Sequence, residues 1–151
     1  MTTRTLLWRG LDEPRMEIVY AESLGHAYGT QIGISYELRW RLDGPVLDLE
    51  IVGGHSARVR LGDADFFDLQ HSAFFNSLPA VRDGLLDGGL ARDYTMRFVR
   101  VPALTAEPYR QRYTPLGNRA VHYSSAGFEA DISYGEDGYV NLYQDYLERI
   151  G

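Results

Sequence analysis

Carboxylates are the residues of this sequence best placed to do chemistry. Glu17, Asp65, Asp68, Glu129, Asp131 and Asp137 fall in or beside apolar stretches that should carry the core. Two such groups flanking a sugar bond are what a glycosidase needs, and a single one can accept hydrogen bonds from a ligand's hydroxyls. Against both stands the ordinary behaviour of an alternating strand, which turns Glu and Asp toward water. The four histidines, His26, His55, His71 and His122, show none of the H-E-x-x-H, H-x-H or H-x-x-H spacings that assemble a metal site from neighbours. No metal is expected. The sequence has no cysteine, so disulfides, thiolate-bound zinc and iron–sulfur clusters are excluded. The nucleophile elbow G-x-S-x-G is absent. All 15 basic residues are Arg, and without Lys there is neither Schiff-base chemistry nor a P-loop. Gly25, Gly29 and Gly33 recur every four residues but lack the strand–loop–helix setting of a dinucleotide site, and a closely packed strand explains them. No cofactor is expected.

Tyrosine is the second excess, with 11 residues, mostly on apparent strands. An apolar ring with a polar tip suits sugars and amphipathic ligands, a dimer interface and plain core packing alike. The net charge of -6 and the scattered arginines argue against nucleic acid, which wants a basic face. Nothing approaches 18 consecutive apolar residues, so no integral membrane association is expected. The first fifteen residues carry Arg4, Arg9, Asp12 and Glu13 where a signal peptide would have its apolar core, and a cytoplasmic location is expected. At 151 residues, 44% of them hydrophobic, the chain reads as one domain, 1–151.

These residues must be positioned mainly by strands. In 35–42, Tyr36, Leu38, Trp40 and Leu42 share one face while Glu37, Arg39 and Arg41 share the other. After the turn Asp43-Gly44-Pro45, Leu47, Leu49 and Ile51 alternate with Asp48 and Glu50, giving a hairpin with one wet face. The next strand, 57–61, offers Arg58 and Arg60 as cross-strand partners for Asp48 and Glu50. Alternation recurs at 16–20, 25–33, 94–98, 107–114, 121–124, 128–134 and 139–143, about ten strands in all. A phase slip at 99–101 suggests a bulge. One segment departs from the pattern. Phe74, Leu78, Val81 and Leu85 are spaced by four, three and four, a helical stripe with Ser72 as its N-cap, Pro79 as a complication and Gly84 as its end. The expected fold is mainly β (α+β): a many-stranded antiparallel sheet curled around a single helix, half-barrel-like, with room for an apolar ligand between the two.

The stretch 74–150 resembles a known family. Phe74-Phe75-Asn76-Ser77-Leu78-Pro79 is similar to its T-P-F-T-N-T-L-P segment, and Val99-Arg100-Val101-Pro102-Ala103-Leu104 to its V-x-V-P-x-L. Arg110-Gln111-Arg112-Tyr113-Thr114-Pro115-Leu116 matches R-Q-R-Y-T-x-L. Phe128-x-Ala130-Asp131-Ile132, Asp137-Gly138-x-Val140 and Tyr143 follow its closing pattern. The family is the bacterial putative glycolipid-binding proteins, formerly a domain of unknown function. Trp8, the Glu17 strand and 35–41 extend the likeness more thinly toward the N-terminus.

This resemblance implies a sheet wrapped around one helix, a tight homodimer, distant likeness to lipoprotein-localisation factors, and an acidic pocket that receives a glycolipid. The sequence departs from the family at Ala64-Asp65-Phe66-Phe67-Asp68, where only Asp68 keeps the register of a C-x-D-x-D run and Asp65 stands one residue from the missing Asp. Ala73 replaces the proline that opens the family helix, and Tyr143-Gln144 its Tyr-Pro. The leading expectation is non-catalytic binding of a glycolipid or similar amphipathic molecule. Phe74 and Leu78 would take the acyl part; Glu17, Asp68, Asn76 and Tyr113 would hydrogen-bond the head. Two alternatives stand beside it: a carboxylate-dependent hydrolase using Glu17 and Asp68, and a dimeric interaction module without a ligand.

Overall fold

The computed structural model describes residues 3–151. The first half of the chain gives β1 (Arg4–Gly10), β2 (Met16–Ser23), β3 (His26–Ile32), β4 (Glu37–Asp43), β5 (Val46–Ile51), β6 (Ser56–Arg60) and β7 (Phe66–Leu69). A helical segment follows, made of a 3-10 turn at Phe74–Asn76, α1 (Ser77–Arg82) and a second 3-10 turn at Leu85–Asp87. The chain then returns as β8 (Arg92–Val99), β9 (Ala106–Gly117), β10 (Ala120–Ser125), β11 (Phe128–Tyr134), β12 (Val140–Tyr143) and β13 (Leu147–Arg149).

All thirteen strands belong to one sheet in the order β6-β5-β4-β3-β2-β1-β13-β12-β11-β10-β9-β8-β7. Two meanders, β1–β6 and β8–β13, meet at its centre, where Trp8, Arg9 and Gly10 pair with Arg149, Glu148 and Leu147. Every pairing is antiparallel except β7 with β8, which sets Asp68 level with Phe98. A parallel pair cannot be joined by a tight turn and needs a crossover; the helical segment supplies it.

The fold is mainly β with one short helix, as the alternation leads one to expect. The sheet is open, not closed or strongly curled: its edges β6 and β7 share no ladder. Thirteen strands replace the ten read from alternation, because β1, β7 and β13 lack a clean two-residue pattern. The phase slip at 99–101 is the end of β8 rather than a bulge, since its pairing with β9 runs in register from Arg92 to Val99. Arg58 does face Asp48 and holds it with two hydrogen bonds, of 2.7 and 3.2 Å. Arg60 falls opposite Val46 instead of Glu50.

One face of the sheet carries the core. Leu6 and Trp8, Val19 and Ala21, Leu38, Trp40 and Leu42, Met96, Val121, Ile132 and Leu147 are all buried, and their chain neighbours point to the other face. Gly29 shows why glycine recurs in β3. It lies directly opposite Trp40, and a Cβ there would come within 2.7 Å of the indole ring. The helical segment packs on this same face. Phe74 lies 5.6 Å from the Trp40 ring and 5.9 Å from Tyr139, so it touches both meanders. Ser72 does not cap the segment: its hydroxyl turns away to Glu17. Gly84 ends α1 as expected, in the left-handed conformation with φ of 67°.

Among the described residues no helix is long and apolar enough to cross a membrane.

Candidate functional site

Two strand carboxylates, Glu17 and Asp68, are buried, and the fold treats them differently. Glu17 of β2 faces Gln31 of β3 directly across the ladder. Its Oε1 accepts from the Ser72 hydroxyl at 2.8 Å, and its Oε2 accepts from Trp40 Nε1 at 3.2 Å and Gln31 Nε2 at 3.4 Å. The backbone N–H of Ala73 donates to it as well. Gln31 also donates to the carbonyl of Gln70 at 3.0 Å. This network ties residues 70–73 to β2, β3 and β4. Burial outweighs the donors and pushes the Glu17 carboxyl up to about 7.

Asp68 of β7 is also buried, yet it borders open space. Its Oδ2 accepts from Gln111 Nε2 of β9 at 2.6 Å. Its Oδ1 has no hydrogen-bond partner among the described residues, and the side chain lines a cleft of about 480 Å³. Burial raises this carboxyl to about 6, against the lowering effect of Gln111. The Gln111 Oε1 is itself buried and unpartnered. That volume falls within the roughly 300–1,000 Å³ typical of small-molecule sites.

The cleft wall is built by strands that the sheet order sets side by side. Phe98 comes from β8, Tyr109 from β9, Tyr123 from β10, Phe128 from β11 and Tyr143 from β12; Tyr146 precedes β13. Tyr123, Phe128 and Tyr143 lie 5.9–6.3 Å apart, ring to ring. Tyr109 donates to the Ser125 hydroxyl at 3.2 Å. Burial drives the hydroxyls of Tyr123, Tyr143 and Tyr146 well above the usual phenol range, so they stay neutral donors.

The rim is fastened by a relay of polar contacts. Asp12 binds Arg15 at 2.6 Å, the Arg15 guanidinium lies 5.2 Å from the Tyr146 ring, and the Tyr146 hydroxyl meets His71 Nδ1. His71 adopts a left-handed backbone, φ 67°, costly for a residue with a Cβ. Burial, aided by Arg15, lowers its pKa.

The expected site residues are therefore divided. Asp68 and Asn76 line the cleft. Phe74 is fully buried, and Leu78 is buried in the same core. Tyr113 lies behind the wall, where its hydroxyl accepts from Asn76 Nδ2 at 3.0 Å while Tyr134 donates to the Asn76 carbonyl at 2.9 Å. Glu17 sits beyond Ser72 and does not reach the cleft, so it and Asp68 do not share one opening. Asp65 does not line this cleft. It accepts from the Thr95 N–H at 2.8 Å and borders a separate groove with Arg82 and Arg92. No group of three or more His, Asp or Glu among the described residues could hold a metal ion. The aromatic wall was not singled out from the sequence. The signal for it was the tyrosine excess combined with the inward phase of Tyr123, Phe128 and Tyr143.

A protein-family profile described as "Putative glycolipid-binding" matches residues 39–149, which takes in every cleft residue named above except Asp12. Among solved structures, a crystal structure described as that of a DUF1089 family protein from Pseudomonas aeruginosa superposes with a TM-score of 0.60 at 22% sequence identity. The match covers 99% of this chain and 93% of that one, and at such identity the likeness is one of fold. The search of curated proteins finds no match.

Proposed function

The chain belongs to the family described as "Putative glycolipid-binding", and from this footing we propose that its cleft binds a glycolipid or similar amphiphile without transforming it. The observation that carries the reading is the buried carboxylate of Asp68, one oxygen held by Gln111 and the other open to a cleft walled by six aromatic rings. Sugars present hydroxyl edges and C–H faces together. A carboxylate oxygen, the Asn76 amide and tyrosine hydroxyls serve the edges, and aromatic faces serve the rest. Leu69, Phe98 and Phe128 give the start of an acyl chain an apolar surface. In this reading Glu17, Phe74, Leu78 and Tyr113 act from behind, fixing the segment that presents Asn76 and Ser72.

Phe128 is the cleanest probe, because it lines the cleft but is 44% exposed and its removal should leave stability within about 0.5 kcal/mol. Phe128→Ala is expected to weaken binding of an alkyl glycoside roughly tenfold in titration calorimetry. A broad panel of amphiphiles with no binder, by calorimetry and by native mass spectrometry, would sink the reading.

The partner on the opposite face of the sheet is, in the same proposal, a second copy of the chain. Met16 and Tyr20 of β2 and Tyr28 and Ile32 of β3 are exposed there, with the two tyrosines stacked at 5.1 Å. Clustered apolar exposure of this kind marks an interaction surface. Sedimentation velocity is expected to give a dimer that Tyr28→Arg converts to monomer; a monomeric wild type refutes it.

A further inference from the structure

We propose that the cleft selects its ligand by head-group charge, taking a polar head that carries a protonated amine against Asp68 and rejecting one that carries phosphate or sulfate. This rests on the binding reading above and names the class of amphiphile.

Among the described residues the charged side chains that line the cleft are Asp12, Asp68, Glu129 and Asp145, with no arginine in the lining. Arg15 stands at the rim and is engaged by Asp12. Two of the four are already answered: Asp12 by Arg15 at 2.6 Å, and Glu129 by His122 Nε2 at 3.4 Å. Asp68 and Asp145 have no basic partner among the described residues. For Asp145, near the rim, water suffices. For Asp68, only 8% exposed, water reaches no more than the oxygen that faces the cleft, and a largely buried carboxylate without a cation bears a desolvation cost. Gln111 is a neutral donor and offsets only part of that cost.

What Oδ1 lacks is a donor that also brings positive charge. A hydroxyl would supply the hydrogen bond alone. An ammonium supplies both, and the neighbouring faces of Tyr123 and Tyr143 tolerate a cation through their ring quadrupoles. A phosphate would meet a like charge at the floor, and the one guanidinium named at the rim, that of Arg15, is already taken by Asp12. The titratable groups facing Asp68 from the elements packed on it are Tyr113, Tyr123, Tyr143 and Tyr146, all held neutral by burial. His71 at the rim is held toward its neutral form. Asp68 is thus the group at the floor that changes charge, and with its carboxyl raised to about 6 the selection should weaken as the pH falls to 5.

The test uses the full chain and three octyl glycosides that share one alkyl chain: the glucoside, its 6-amino-6-deoxy form and its 6-phosphate. Calorimetry at pH 7 is expected to rank amine above neutral by roughly 10–100-fold, the range of one charge-assisted hydrogen bond, and phosphate below neutral. The amine-to-neutral ratio should fall toward one at pH 5, and also in Asp68→Asn at pH 7. Equal affinity for amine and glucoside overturns the charge selection while leaving amphiphile binding in place. A phosphate that binds as well as the glucoside also overturns it. A ratio unchanged in Asp68→Asn and at pH 5 overturns Asp68 as the counter-ion. Absence of binding by all three overturns the underlying reading as well.

Discussion

Raising the pH from 5 to 8 is expected to destabilise the folded protein, and Glu17→Gln to remove more than half of that loss, because most of the Glu17 window but only the upper part of the Asp68 window is left above pH 5. Glu17 and Asp68 are both buried, and burial lifts them from ordinary carboxylate values to about 7 and about 6. A carboxyl raised on folding keeps its proton in the native state at a pH where the unfolded chain has released it. Its contribution is therefore complete below its unfolded value and is lost as pH climbs through its folded one. For these two groups the window runs from about pH 4 to about pH 7. At about 1.4 kcal/mol per unit of displacement, each accounts for about 3 kcal/mol. His122, held up by Asp131 and Glu129, acts in the same direction but is exposed and screened. His71 acts oppositely below its ordinary value, since folding favours its neutral form. Asp12, Asp48 and Asp137, all lowered, act only in more acid solution. Urea midpoints at pH 5, 6, 7 and 8, for the wild type, Glu17→Gln and Asp68→Asn, check this. A wild-type profile that is flat or rises with pH overturns it.

Both groups are buried against the tendency of alternation to turn a carboxylate toward water, since Glu17 points in while Met16 and Tyr20 point out, which bears on how much was legible. Strands with one wet face, such as β4, β5 and β11, were readable because their polar and apolar residues keep strict phase. β7 was not, because Phe67, Asp68 and Leu69 are all buried and four residues leave no polar phase to follow. β1 hides its period in Leu6-Leu7-Trp8, and β13 has only three residues. The helical stripe was real but not one helix. Val81 is 37% exposed, and the segment breaks into α1 between two 3-10 turns.

Asp68 and Asn76 could be singled out through local motifs. The rest of the wall could not, since it depends on strand order. Phe98, Tyr109, Tyr123 and Tyr143 come together only because β12, β11, β10, β9, β8 and β7 lie in sequence across the sheet, and the parallel register of β7 with β8 sets Asp68 beside Phe98. Periodicity reports the face of a residue, not its neighbours across a ladder.

Truncating Phe74 to Ala is expected to lower stability by about 3–5 kcal/mol, the range for deleting a fully buried aromatic side chain. Phe74 has no exposed surface and meets Phe75 edge-on at 5.4 Å besides its contacts with Trp40 and Tyr139. Those rings come from both halves of the chain, so the cavity left behind would lie where the two meanders share a core. The surrounding strands are held by their ladders and cannot collapse to fill it. Val81→Ala, at a partly exposed position of the same segment, should cost under about 1 kcal/mol, which separates lost packing from lost helix propensity. Urea unfolding of both variants decides the matter. If Phe74→Ala were nearly as stable as the wild type while amphiphile affinity collapsed, Phe74 would belong to the ligand surface and not to the core behind it. A large stability loss, with binding restored by the bulkier Phe74→Leu, is the result expected of a residue that holds the Asn76 segment against the sheet.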